Sequence, residues 1–149
     1  MGHEIAILAT SVTLVLGLAG CTETTGDGVG SSEHRENLVN GLITVKAGAY
    51  NYYYATVNPG FTNVRLTGSF GASGGSGDDI RVAVMDQMAF QNWKDGDTVS
   101  TYYSSGQVHS ANFDVPIPGA GTYVLVYDNT FSAVSDKDVN TKADFLWVG

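Results

Sequence analysis

"GTYVLVYDNTFS", residues 121–132, is the stretch that decides the fold. Its first half is apolar on both faces of a strand, with Tyr123, Leu125 and Tyr127 on one side and Val124 and Val126 on the other. A half-exposed strand alternates apolar with polar residues, whereas one apolar on both faces is covered on both and lies inside its sheet. The run stops at Asp128-Asn129, whose short polar side chains suit a turn that bonds its own backbone. We read Asp128, Asn129, Phe131 and Ser132 as a structural corner, with Phe131 tucked back under the sheet.

The flanking segments supply partners for that strand. Residues 50–57, "YNYYYATV", are tyrosine-rich and β-prone, and an Asn-Pro-Gly turn follows at 58–60. In "NVRLTGSF", residues 63–70, Val64, Leu66, Gly68 and Phe70 share one face. Ile80, Val82 and Val84 do the same in "IRVAVM", as do Val139, Thr141, Ala143, Phe145 and Trp147 near the end. Two further strands are expected at 99–105 and 108–117. Residues 86–97 are the one plausible helical turn, with Asp86 as N-cap and Gly96 as stop. About seven or eight short strands with Gly-rich turns predict an all-β fold, an antiparallel β-sandwich of jelly-roll type.

The beginning of the chain is of another kind. Residues 5–20, "IAILATSVTLVLGLAG", carry no charge and end at Cys21, the only cysteine. As a helix they would reach about 24 Å, short of a hydrocarbon core of about 30 Å. That length favours an export leader over a membrane span. Leu18-Ala19-Gly20-Cys21 resembles the lipobox of prokaryotic lipoproteins, although "MGHE" before it lacks the usual Lys or Arg. The resemblance implies a signal peptide over 1–20 and a covalent diacylglycerol on Cys21. Residues 21–40, rich in Thr, Ser, Gly and Glu, are then a flexible tether with His34 solvated in it. Two acyl chains hold a protein stably at about 0.8 kcal/mol per buried CH2. The expected location is the cell envelope, on the periplasmic or extracellular face.

Charge narrows the partners. Seven basic against 15 acidic residues give a formal charge of −8, with no basic run. Nucleic acid is excluded as a partner on that balance. Membrane association is left to the lipid rather than to headgroup attraction.

Catalytic constellations are not found. The G-x-S-x-G spelling at residues 71–75 is no nucleophile elbow, because a strand and not a helix follows it; no H-E-x-x-H motif is present, and His109, expected half-buried near a sheet end, has no nucleophile in register. "GASGGSGDD", residues 71–79, precedes a strand instead of the helix that a phosphate cradle needs. Calcium stays open as a cofactor, since Asp78, Asp79, Asp95 and Asp97 are oxygen donors in turns, where aspartates are also common for local bonding alone. The aromatic surplus suggests a binding face. Tyr52 and Tyr54 share one side of their strand and Tyr53 takes the other; Trp93, Tyr102 and Tyr103 complete the candidates for partner contact. Cross-strand packing explains the same residues equally well.

Taken together, residues 41–149 resemble the GOLD (Golgi dynamics) domain. The match is carried by "NVRLTGSFGASGGSGDDIRVAVMD", "FQNWKDG" and "GTYVLVYDNTFSAVSDKDVNTKADFLWV". Its strongest part is Gly121-Thr122-Tyr123 leading to Tyr127-Asp128-Asn129 and Phe131-Ser132; a G-x-G-T-Y ending is also similar to bacterial prepeptidase C-terminal domains. The resemblance implies a non-catalytic module for protein-protein or envelope-partner binding, or for a small lipid or glycan. It transfers no catalytic residues.

Overall fold

Alternation along the strands builds two sheets that close over one core. The structure, a computed structural model, describes residues 5–10, 32–75 and 77–149. Cys21 and its lipobox lie outside the described residues. The strands are β1 (Ile5–Thr10), β2 (Glu33–Val45), β3 (Ala49–Val57), β4 (Thr62–Ser73) and β5 (Ile80–Asp86), then helix α1 (Gln87–Lys94). They continue as β6 (Tyr103–Val108), β7 (Ser110–Pro116), β8 (Gly121–Asp128) and β9 (Lys137–Val148).

One sheet has the order β1-β3-β8-β5-β6 and the other β2-β9-β4-β7. Every pairing is antiparallel except β1 against β3, which is parallel. The doubly apolar strand β8 sits inside its sheet between β3 and β5, as its sequence requires. Its two faces serve two clusters. Tyr123, Leu125 and Tyr127 join Ile80, Val82, Val84, Leu66 and Phe145 between the sheets. Val124 and Val126 face outward and meet Met85 and Phe90 under α1. The sandwich is therefore three layers deep on this side. Asp86 caps α1 by accepting from the Ala89 N–H at 2.8 Å, and Gly96 takes the left-handed φ of 95° just beyond its end.

Two expectations change. First, residues 33–40 are not tether but the first part of β2, paired with β9 from Glu33 opposite Val148 onward. Only Leu38 of that stretch is buried, so the segment has little apolar content to announce it. Its polar residues bond β9 instead: Arg35 pairs with Asp144, Asn37 donates to Asp144 at 2.8 Å, and His34 stacks on Trp147 at 5.2 Å. Second, β6 starts only at Tyr103, and the run 108–117 breaks at His109, where the chain passes from one sheet to the other. His109 is consequently exposed rather than half-buried, with its Nδ1 3.1 Å from the Asp78 carbonyl oxygen. Ile5–Thr10, inside the stretch read as a leader, lies as a strand along β3.

Candidate functional site

The tyrosine strand β3 presents its two sets of side chains to different layers. Tyr53, Ala55 and Val57 enter the main core, and Tyr53 meets Tyr127 edge-on at 5.9 Å. Tyr52 and Tyr54 face outward, half-buried, with their rings 5.4 Å apart and nearly perpendicular. Helix α1 supplies the rest of this outer surface. Phe90 is fully buried against Tyr52 at 4.9 Å, and Trp93, one turn later, stacks on Phe90 at 6.0 Å. Tyr50 closes the group edge-on to Trp93 at 4.9 Å. Met88 on the same helix is 71% exposed. The result is an aromatic ledge whose base is core and whose rim is wet. Burial, and then its neighbour Tyr52, push the Tyr54 hydroxyl above its ordinary pKa, so it stays a neutral donor at any physiological pH.

Of the five aromatic candidates, the fold brings Tyr52, Tyr54 and Trp93 together. Tyr103 packs against the main core beside Phe113 at 5.4 Å, and Tyr102 is exposed against Tyr123 at 5.6 Å. The sequence reading missed Phe90. Its signal was present in the spacing of Phe90 and Trp93 on one short helix, three residues apart.

The corner is built from local and distant bonds. Asp128 Oδ1 accepts from the Thr130 N–H at 2.8 Å and from its hydroxyl at 2.6 Å, an Asx turn. Ser132 Oγ donates to the Ser135 carbonyl at 3.0 Å and accepts from the Ser135 N–H at 3.1 Å. Asn129 is wholly buried, and its amide reaches the carbonyls of Val45, Lys46 and Ser135. Phe131 does not tuck under the sheet. It stands half-buried between two cations, with Arg81 4.8 Å and Lys137 4.7 Å from its ring centre. The negative face of the ring attracts both charges.

Beside this corner lies a cavity of about 210 Å³, lined by residues including Asp79, Gln107, Phe131, Ser135 and Lys137. Its buried cation is already committed. The Lys137 ammonium donates to the Asp79 carboxylate at 2.8 Å and carbonyl at 2.7 Å, and it faces the Phe131 ring. Those contacts engage its donors, so this cavity is a braced joint rather than an anion receptor.

The aspartates proposed for calcium are separated. Asp78 accepts from the Gly74 N–H at 2.8 Å, and Asp79 holds Lys137. Asp95 is the C-cap of α1, and the Asp97 N–H donates to the Asn92 carbonyl at 3.0 Å. Among the described residues no group of three or more His, Cys, Asp or Glu side chains converges to hold a metal ion.

The Asp79–Lys137 pair gives a pH prediction. Bonds from Lys137 and then Gln107 hold the Asp79 carboxyl below its ordinary pKa. A depressed folded pKa stabilises fully above the unfolded value of about 4 and loses that contribution as pH falls through the lower folded value. The stability difference between the wild type and Lys137→Met should therefore shift against the wild type on acidification. Urea midpoints at neutral and strongly acid pH read this directly.

No family model matches the chain, and no curated protein does. Among solved structures, the crystal structure of Aeromonas hydrophila PliG, a periplasmic lysozyme inhibitor of g-type lysozyme, is 13% identical. The alignment covers 84% of this chain and 93% of that one at a TM-score of 0.36. Likeness at that level says nothing of what this chain binds. Among the described residues, no helix is long and apolar enough to cross a membrane.

Proposed function

We propose that this chain is a non-enzymatic, GOLD-like binding module of the cell envelope, tethered through a diacylglycerol on Cys21, whose ledge takes a protein partner. The ledge is the observation that carries the reading. Half-buried Tyr52, Tyr54 and Trp93 combine apolar area with fixed orientation. The lipobox spelling and the acidic charge support attachment by lipid rather than by headgroup attraction. The tether shortens to residues 21–32, because β2 begins at Glu33.

The test is crosslinking and affinity capture from the native envelope with the tagged, lipidated chain. Lys94→Glu reverses the charge at the rim, where the exposed Lys94 ammonium lies 5.0 Å from the Phe90 ring centre. It should lower partner recovery by about tenfold or more, some 1.4 kcal/mol, with the fold retained by circular dichroism. Cys21→Ser should move the protein out of the membrane fraction. Recovery unaffected by Lys94→Glu and Tyr54→Ser would remove the ledge from the interaction. Calorimetric binding of a lipid or glycan that Lys94→Glu weakens would transfer the surface to the small-ligand reading.

A further inference from the structure

Sheet edges expose unpaired N–H and C=O groups, and folded proteins blunt them with charge, proline, bulges or short length. Three outer strands here follow that rule. β2 carries Glu33, Arg35 and Glu36 and a register break between Asn37 and Val39. β7 carries Asp114 and ends at Pro116. β6 is six residues long, and its register against β5 breaks opposite Arg81 and Ala83.

β3 breaks the rule. Ala49–Val57 runs nine residues without a charge or a proline, and its register with β8 is continuous from Tyr50 to Val57. The Asn129 N–H donates to the Ala49 carbonyl at 2.9 Å, so Ala49 faces β8. Antiparallel ladders alternate, which turns the N–H groups of Tyr52 and Tyr54 to the far side. That far side is where β1 lies. The uncharged segment "IAILAT" pairs with it in parallel, Ile5 opposite Ala49 and Thr10 opposite Tyr53.

We propose that the β3 edge is a strand-addition site, taking an extended, uncharged segment of a partner protein parallel to β3. The chain's own leader occupies that edge until it is removed. Such a segment gains affinity from main-chain bonds and selectivity from alternate side chains. The adjoining rim of Tyr52 and Tyr54 offers apolar contact to the side chains on that face. The inference deepens the proposed function and rests on it only in taking residues 1–20 to be cleaved.

Hydrogen exchange at the Tyr52 and Tyr54 amides tests it, with the processed chain and a synthetic peptide bearing residues 5–10 between lysine pairs. The peptide should slow both amides by about tenfold or more, and the same peptide N-methylated at alternate residues should not. In the uncleaved Cys21→Ser chain the amides should be slow without peptide. Equal protection by the N-methylated peptide, or none by either, would overturn the proposal. Concentration-dependent protection of the processed chain alone would assign the edge to a second copy, also overturning it. Intact mass shows separately whether the leader has gone. If it is retained, Ala6→Pro with Ala9→Pro opens the same amides, and the peptide is applied to that chain.

Discussion

Gly68→Ala should lower stability by about 3 kcal/mol or more, on the order of 10–15 °C in melting temperature. Gly68 lies in β4 between β9 and β7, opposite Ala143 on one side and Phe113 on the other. A methyl there would run into the Lys142 backbone carbonyl oxygen, and it would come within 2.7 Å of Phe113 Cζ and 3.0 Å of Ala143 Cα. The ring of Phe113 covers the bare glycine, the cross-strand arrangement that compensates a glycine in a sheet. Two of the three contacts are backbone in paired strands, so neither side can retreat without breaking ladder bonds. Adding Phe113→Leu to Gly68→Ala should restore only a minor part of the loss, because the carbonyl contact persists. Thermal melts of the wild type and the two variants followed by circular dichroism measure both effects.

Asn129→Ala should cost about 3 kcal/mol. The Asn129 amide nitrogen donates at 3.1 Å to Val45, 3.2 Å to Lys46 and 2.9 Å to Ser135. These carbonyls belong to the end of β2, the turn into β3 and the loop before β9. One side chain thus joins three segments that share no ladder at that point. Among the described residues its buried Oδ1 has no hydrogen-bond partner, and the three surrounding carbonyls explain why the nitrogen points their way. Alanine would remove this donor from the buried Val45 carbonyl and untie the three segments, although the Lys46 carbonyl would keep the Ala49 N–H and the Ser135 carbonyl the Ser132 hydroxyl. Asn129→Asp should be worse near neutral pH, since a carboxylate would face oxygens it repels. Urea unfolding orders the variants as wild type, then alanine, then aspartate. Ser132→Ala, losing bonds only within its own turn, should cost about 1 kcal/mol.

Local patterns in the sequence foretold much of this fold. The apolar faces of β8 put it inside its sheet, the alternation in β4, β5 and β9 named their core residues, and Asp86 and Gly96 bounded α1. What escaped the sequence depends on distant partners. β2 was hidden because Leu38 is the only buried side chain in its first half, and its polar residues gain their places from Asp144 and Trp147. The break at His109 was hidden because apolar alternation continues while the chain changes sheets. The corner's Asx turn could be read from Asp128, but the meeting of Asn129 with Val45 could not. Likewise, alternation separated Tyr52 and Tyr54 from Tyr53, but only the docking of Phe90 shows which set keeps a wet rim. Lys137 and Asp79, 58 residues apart, gave no local sign of pairing.

The layering of the sandwich also sorts its two tryptophans. Trp93 packs in the small cluster under α1, while Trp147 sits in the main core between His34 and Phe61, at 5.2 Å and 5.0 Å. Each indole is thus a fluorophore for a different event. Lifting of the helix from its sheet would alter Trp93 emission and leave Trp147 as it was, whereas opening of the sandwich would alter both. With one tryptophan replaced by phenylalanine at a time, the molecule becomes its own two-channel optical gauge of local undocking against global melting.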